Sequence, residues 1–219
     1  MLYKISYHHS IGLKELDEPL DEPDEFVNVV SFEIDEVDNF GGKVRPVGKG
    51  KVCQVLFSLA LELGFPSNHV MDATQPILDM SEIIFDLDDE VNPWSKLEEH
   101  YDEPFLSSDI CILDEIEILP DYRNRGLMPR IMKELIIHFY GSCGLWVLKA
   151  FPFQHDDTIY SDDNKWFKEM DYIAFEEDFE KSQYKLFHLF QSLGFENPFD
   201  PEYFMARPFD LLKQYGLRD

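Results

Sequence analysis

Hydrophobic and polar positions follow two different periods along the chain, and these periods predict alternating strands and helices. Residues 28–34 alternate with a period of two, which is typical of a strand, and the turn signal Gly41-Gly42 follows. Residues 50–63 carry apolar positions at helical spacing and end before a glycine and a proline, so they predict an amphipathic helix. Residues 81–87 predict a further strand, and residues 93–101 predict a short helix.

The middle of the chain predicts a strand, a crossover helix and a second strand. Residues 109–119 are long, rich in β-branched residues and closed by a proline. A basic turn, residues 121–126, precedes a helix that Pro129 opens and that keeps its apolar residues on one stripe. Residues 145–148 are all apolar and follow as a strand. Such a βαβ unit predicts parallel strands and a mixed α/β fold.

The last third of the chain begins with a polar stretch and then returns to regular structure. Residues 154–178 predict an insertion, and a helix is predicted around residues 179–192. Residues 195–198 and 203–207 then predict a terminal hairpin, followed by a short tail at 211–216. No segment has the composition of a domain linker.

Composition agrees with a single folded domain. The chain has 219 residues, of which 44% are hydrophobic and 15% aromatic, and this is enough for a packed core. Prolines in the acidic segment 15–25 disfavour a helix and predict a solvated loop. We therefore expect one domain over residues 1–219, with an acidic N-terminal loop and the insertion at 154–178.

Charge and cysteine content limit the partners and the compartment. The formal net charge is −25, which disfavours binding to nucleic acid or to an anionic membrane. Cys53, Cys111 and Cys143 are odd in number and widely spaced, which indicates reduced thiols and a cytoplasmic location. The sequence has no apolar run long enough to predict a membrane span, and its beginning lacks the pattern of a signal peptide.

Two short windows nevertheless carry positive charge. Residues 41–61 contain four basic residues and no acidic one, and residues 122–155 contain five basic residues and one acidic one. Arg123, Arg125 and Arg130 lie around the start of the predicted helix, where unpaired N–H groups favour an anion. The arginines indicate either a phosphate site or a surface that neighbouring carboxylates balance, and the sequence alone leaves both open.

Three segments occur in an order that matches a known family. Residues 116–123 form a strand-Pro-x-Tyr-Arg lead-in, and Arg123-Asn124-Arg125-Gly126-Leu127-Met128 follows it. Residues 186–196 form a late helix that ends in Leu-Gly-Phe-Glu. Over residues 109–153 and 184–206 the chain resembles the GNAT superfamily of N-acetyltransferases, whose signature is Gln/Arg-x-x-Gly-x-Gly/Ala. The resemblance implies a central twisted sheet flanked by helices.

The same resemblance implies acetyl-CoA as co-substrate and assigns its binding residues. Backbone N–H groups of Ile118 and Leu119 would hold the oxyanion of the reaction. The full set implied for CoA is Ile118, Leu119, Arg123, Asn124, Arg125, Gly126, Leu127, Met128 and Arg130.

Four positions depart from the family pattern. Met128 stands where the family has a small residue, and Pro129 lacks a backbone N–H. Phe190 replaces a tyrosine that in many members protonates the leaving thiolate, and Tyr184 is the implied stand-in. Ile112 stands where the histone-modifying branch has a glutamate, so the resemblance does not point to that branch.

An amine acceptor also requires a proton acceptor, because amines are mostly protonated at pH 7. Glu115 and Glu117 share one face of the predicted strand by its period of two, and Asp114 does not. We expect them to act as base or amine anchor. The alternative, a solvent-facing stripe of glutamates, stays open.

These patterns favour an N-acetyltransferase that acts on a small cationic amine or a Lys-bearing peptide. The main alternative is a noncatalytic protein of the same fold whose acidic surface binds a basic protein. A third idea, an acidic mimic of DNA, has little support because it leaves the ordered motifs unexplained. No spacing in the sequence predicts a metal site, and the oligomeric state cannot be read from it.

Overall fold

A computed structural model of the chain describes residues 2–9, 22–86, 92–105, 107–155 and 165–217. Residues 15–21 of the predicted acidic loop lie outside the described residues, as do residues 156–164 of the predicted insertion. The end of that loop leads into a short 3-10 helix, Pro23–Phe26, which anchors the buried ring of Phe26.

The described residues form a six-stranded mixed sheet. Its strands are β1 (Leu2–His9), β2 (Val27–Val37), β3 (Lys43–Val55), β4 (Ile110–Ile118), β5 (Leu145–Lys149) and β6 (Tyr203–Ala206). The strands lie side by side in chain order; β4 and β5 are parallel and the other neighbours are antiparallel. This sheet confirms the predicted mixed α/β class and the predicted parallel pairing of the two strands that flank the crossover helix.

Helices flank the sheet on both faces. They are α1 (Phe57–Glu62), α2 (Ser67–Met71), α3 (Gln75–Ile84), α4 (Ser95–Tyr101), α5 (Leu127–His138), α6 (Lys165–Met170), α7 (Phe179–Ser192) and α8 (Pro208–Gln214). Helices α5, α7 and α8 bury their apolar residues against Trp146 and Leu148, whereas α1 to α4 pack on Leu145 and Val147. Because successive residues of a strand point to opposite faces, these are two cores on the two sides of the sheet.

The prediction of one helix over residues 50–63 is wrong in its first half. Residues up to Val55 belong to β3, and the helix covers only Phe57–Glu62. Strand β3 lies between two other strands, so Val52 is buried in one core and Val55 in the other. Because β3 is buried on both faces here, its sequence lacks the polar and apolar alternation of a half-exposed strand. Over a short window the remaining apolar positions match the spacing of a helix.

The predicted strand at residues 81–87 is also wrong where the structure describes it. Helix α3 ends at Ile84, and its buried residues Ile77, Met80, Ser81 and Ile84 are spaced as on one helical face. Thr74 caps the helix, with its hydroxyl accepting from the Ile77 amide at 3.4 Å. The prediction started too late in the chain to include this period.

Other predicted elements agree more closely with the structure. The late helix has the predicted bounds, Phe179–Ser192, and Asp178 caps it by accepting from the Lys181 amide at 3.1 Å. The predicted C-terminal hairpin reduces to β6 and a single bridge between Glu196 and Met205, and the predicted tail is helix α8. Within the described part of the chain, no helix is long and apolar enough to span a membrane.

Candidate functional site

A β-bulge at Asp114 decides which way the two glutamates of β4 point. Lys51 of β3 pairs with Glu115, but its neighbour Val52 pairs with Leu113, so Asp114 is an extra residue in β4. Without the bulge, Glu115 and Glu117 would share the face of Leu113, which is buried in the core beneath α5. The bulge turns both glutamates to the other face of the sheet.

Glu117 is buried and has three hydrogen-bond or ion-pair partners. Its side chain is 7% exposed, and its Oε2 atom lies 2.8 Å from Lys49 Nζ. The Trp166 indole N–H donates to the same oxygen at 2.9 Å, and the Tyr172 hydroxyl donates to Oε1. A carboxylate offers about four acceptor positions, so these donors leave little room for another.

Among the described residues, Glu115 pairs with lysines alone, and it is less enclosed than Glu117. Its Oε2 atom lies 2.6 Å from Lys51 Nζ, and its Oε1 atom lies 4.0 Å from Lys49 Nζ. The side chain is 14% exposed. The structure therefore brings Glu115 and Glu117 together on one face, as predicted, with Lys49 between them.

The basic segment at 41–61 acquires a role from these contacts. Lys43 lies 2.9 Å from Asp35 on β2, and Arg45 lies 3.5 Å from Asp121 after β4. Together with Lys49 and Lys51, these side chains make β3 cationic. They pair with carboxylates that precede β3 in the chain and with carboxylates that follow it. Cross-strand pairs of opposite charge stabilise a sheet, and here they account for the segment without an anionic ligand.

Tyr172 is the site residue that sequence reasoning missed most clearly. It lies in the 3-10 helix Tyr172–Ala174, directly after α6, and its ring is buried in the core with α5 and α7. Burial raises the pKa of its hydroxyl, and the hydrogen bond to Glu117 raises it further. No local pattern marks Tyr172 or Trp166, because their partner Glu117 is about fifty residues earlier in the chain.

Arg123 points into the protein. Its Nε atom donates to the Ile118 carbonyl and an Nη atom donates to the Met170 carbonyl, each at 2.7 Å. The guanidinium also lies 4.0 Å from the centre of the Phe175 ring. Burial lowers the pKa of Arg123. These contacts tie α6 and the residues after it to the end of β4, so Arg123 has a structural role.

The turn before α5 remains accessible. Gly126 begins the helix in the left-handed region with φ of 69°, and a Cβ atom placed there would contact nothing within 4 Å. Gly126 has no side chain that could cap the first amides of α5, and the first turn of the helix has no acidic residue. Arg125 is exposed, with its guanidinium 5.7 Å from the centre of the Tyr122 ring.

The remaining residues of the predicted turn divide between surface and core. Asn124 is exposed in the left-handed region, with φ of 57°. Leu127 is buried in the core, and Met128 packs partly against it. Arg130, one turn into α5, lies 5.1 Å from the centre of the Tyr3 ring on β1. Arg130 therefore belongs to the β1 side of α5.

Strand β4 extends beyond its parallel partner. Pairing with β5 covers Ile110 to Leu113 only. The Leu119 amide donates to the Val47 carbonyl at 2.9 Å, so this amide is hydrogen-bonded to β3. Backbone groups alternate in direction along an antiparallel strand, so those of Ile116 and Ile118 point toward the open side of β4. The Ile118 carbonyl is there engaged by Arg123.

Tyr184 lies on the exposed surface of α7. It is 61% exposed on α7, and its described contact is an edge-on approach to His188 with ring centres 4.2 Å apart. Phe190, on the same helix, is buried against Phe204.

Neither a metal site nor a related protein identifies the function of this site. Among the described residues, no group of three or more His, Cys, Asp or Glu side chains is arranged to hold a metal ion. No family model, curated protein or solved structure matches the chain.

Proposed function

We propose that the protein is an acyl-CoA-dependent N-acyltransferase of GNAT type that acetylates a primary amine. The observation that carries the proposal is the accessible start of α5 at Gly126, which shortly follows the end of β4, where β4 pairs with β3 but extends beyond β5. Phosphate groups bind at such helix starts because N–H groups and the helix dipole favour negative charge. Arg125 adds a positive charge at the same turn.

In this proposal, CoA phosphates bind the first amides of α5 and Arg125. The thioester supplies the acyl carbon, to which the amine nitrogen bonds as the C–S bond breaks and the thiolate takes up a proton. Arg123 holds the end of β4 in place, and the Ile116 and Ile118 amides face the gap beside β5. Leu119 is left out because its amide is engaged, and Arg130 because it lies toward β1.

Glu115 is the better candidate for the proton acceptor. Three donors hold Glu117, so its role is to fix Lys49, Trp166 and Tyr172. Glu115 accepts the proton of the incoming ammonium group, directly or through water, and later releases it to solvent. A thiolate is a tolerable leaving group near neutral pH, so the step does not require Tyr184.

The acceptor is a small cationic amine or a Lys-bearing peptide. The support is the net charge of −25, which attracts ammonium groups to the protein as a whole. The proposed compartment is the cytoplasm, because Cys53, Cys111 and Cys143 are all thiols. Burial, together with the charge of Asp114, raises the pKa of Cys53 to about 11.

A noncatalytic protein of the same fold is the second candidate. The specific observation in its favour is that Trp166 of α6 and Tyr172 cover Glu117, while Arg123 binds the Ile118 carbonyl at the end of β4 and lies over the Phe175 ring. In that case the acidic surface binds a basic protein, and the turn at Gly126 has no ligand.

Calorimetric titration with acetyl-CoA tests the first proposal. We expect binding that Arg125→Ala and Gly126→Glu each weaken by about tenfold or more, because each removes or opposes an anion contact. Lys213→Gln, which removes a cation from α8 far along the chain, is the matched control and should leave affinity unchanged. Thiol release with a Lys-bearing peptide should fall strongly in Glu115→Gln, with little change in acetyl-CoA affinity.

No binding at millimolar acetyl-CoA would reject the acyltransferase proposal. An acetyl-CoA affinity that neither turn substitution alters would show that CoA does not bind at the turn before α5. If acetyl-CoA fails to bind while a Lys-rich peptide binds in a salt-sensitive manner, the noncatalytic protein is supported instead.

A further inference from the structure

A cavity of about 340 Å³ lies between the edge strand β1 and helix α5. Its volume is in the range of small-molecule pockets. The floor is apolar and consists of Ile5, Ile34, Leu127 and Ile131. The cavity exists because α5 covers the inner face of β2 to β4 but only partly covers that of β1, whose inward side chains are half-buried.

Two tyrosines of β1 form the walls of the cavity. Tyr3 lies beneath the Arg130 guanidinium, and Tyr7 stacks on His138 of α5 with ring centres 3.8 Å apart. Burial, together with the charge of Glu134, raises the pKa of Tyr7 to about 12, so its hydroxyl stays protonated and can donate a hydrogen bond. These contacts hold both tyrosine rings in place.

Two opposite charges lie on the helix side of the cavity. Arg130 and Glu134 are one turn apart on α5, and both belong to its lining. In the part of the chain that the structure describes, neither forms an ion pair with the other or with a third residue. The order Arg then Glu along a helix is the less favourable one for such a pair. A cation and an anion therefore stand about 6 Å apart along the helix axis, beside an apolar floor.

We propose that this cavity binds a small zwitterion with an apolar body, namely an amino acid with an apolar side chain. Its carboxylate pairs with Arg130, its ammonium group with Glu134, and its side chain packs on Ile5, Ile34 and Ile131. Charge complementarity selects this class, because an apolar anion or an apolar cation would satisfy only one of the two groups. The cavity lies on the β1 side of α5, although its floor includes Leu127, which directly follows the turn at Gly126. The proposal does not depend on the acyltransferase proposal.

Calorimetry or ligand-observed NMR with L-phenylalanine and L-leucine tests the proposal. We expect saturable binding of at least one of them with a Kd below about 1 mM. L-Phenylalaninamide lacks the carboxylate and N-acetyl-L-phenylalanine lacks the ammonium group, so each should bind about tenfold more weakly, since a charge-assisted contact is lost.

Variants assign the binding to this cavity. Arg130→Gln and Glu134→Gln should each weaken L-phenylalanine by about tenfold, and Ile5→Trp should abolish binding by filling the space. Lys133→Gln removes a cation from the same helix but outside the lining, and should bind as the wild type does. Circular dichroism checks that each variant is folded.

The proposal is overturned if neither amino acid binds saturably at about 10 mM. It is also overturned if phenethylamine, which has no carboxylate, binds as tightly as L-phenylalanine, because the cavity would then take cations alone. Unchanged affinity in both charge variants would place the binding elsewhere.

Discussion

Glu117 shows how hydrogen-bond and ion-pair partners determine the role of a carboxylate. It lies at the end of β4 where the sequence predicts a base or an anchor, and Lys49, Trp166 and Tyr172 occupy most of its acceptor positions. Glu115, two residues earlier, has its Oε2 atom 2.6 Å from Lys51 Nζ and its Oε1 atom 4.0 Å from Lys49 Nζ. Glu117 is thus held by three donors, and Glu115 is the glutamate that we propose as proton acceptor.

Glycines of β3 have an equally specific role at the residue scale. Gly48 and Gly50 lie beside Ile34 and Phe32 of β2, whose side chains rest on the β3 backbone. A Cβ atom at Gly50 would come within 2.4 Å of both the Glu115 carbonyl oxygen and the Phe32 ring. The Gly-Lys-Gly sequence therefore serves packing, while Lys49 points to the other face.

Gly50→Ala should accordingly destabilise the protein. We expect the free energy of unfolding to fall by about 1–3 kcal/mol, as for other overpacked cores, because the Glu115 backbone cannot move aside. Urea denaturation measures the change. Gly42→Ala is the control, because its new Cβ would meet only the Asp38 side chain; an equal loss in both variants would contradict the packing argument.

At the scale of elements, the bulge in β4 keeps the apolar side chains on both sides of it directed to the same core. Before the bulge, Cys111 and Leu113 face the core beneath α5, and after it Ile116 and Ile118 face the same core. The extra residue, Asp114, is exposed. The odd spacing between Leu113 and Ile116 is the signal in the sequence that could have revealed the bulge.

Two single-residue deletions in β4 test this description. Deletion of Asp114 leaves every other residue on its present face, so we expect a folded protein with cooperative unfolding. Deletion of Ile112 would instead place the Asp114 carboxylate at the position of Leu113, in the core. Burial of an unpaired carboxylate costs several kcal/mol, so that variant should lose its thermal transition by circular dichroism. Equal stability of the two variants would show that the bulge does not set the faces.

At the scale of the whole molecule, the sheet partly neutralises its own charge. The chain carries 44 acidic and 19 basic residues, and four of the basic ones lie on β3 between carboxylates. Positive charge is thus concentrated in the interior of the sheet and at the turn before α5. The surplus of negative charge lies elsewhere, where it repels itself and attracts cations.

This surplus predicts that salt stabilises the protein. Raising NaCl from about 20 mM to about 0.5 M shortens the screening length and reduces repulsion among the carboxylates. Exposed ion pairs contribute little, so their loss should not offset the gain. If the gain is about 1 kcal/mol, the thermal midpoint should rise by about 2–4 °C by differential scanning calorimetry. KCl should act like NaCl, and a midpoint that falls would mean that the ion pairs of β3 dominate.

Local patterns were sufficient where an element depends on its own residues. The length, the β-branched residues and the closing proline predict β4, and the predicted helix at residues 179–192 has the observed bounds of α7. The parallel pairing of β4 and β5 follows from a helix between two apolar strands. The GNAT resemblance remains a hypothesis on which the proposed function rests.

The sequence by itself determined the mixed α/β class, the strand-turn-helix at Gly126 and the common face of Glu115 and Glu117. Only the tertiary structure decided that β3 is a strand, that its lysines pair with those glutamates, and that Trp166 and Tyr172 enclose Glu117. The physical reason is the distance along the sequence between the residues that interact. Periodicity records which face of a residue's own element is buried, whereas a partner some fifty or more positions away leaves no local trace until the sheet brings the two together.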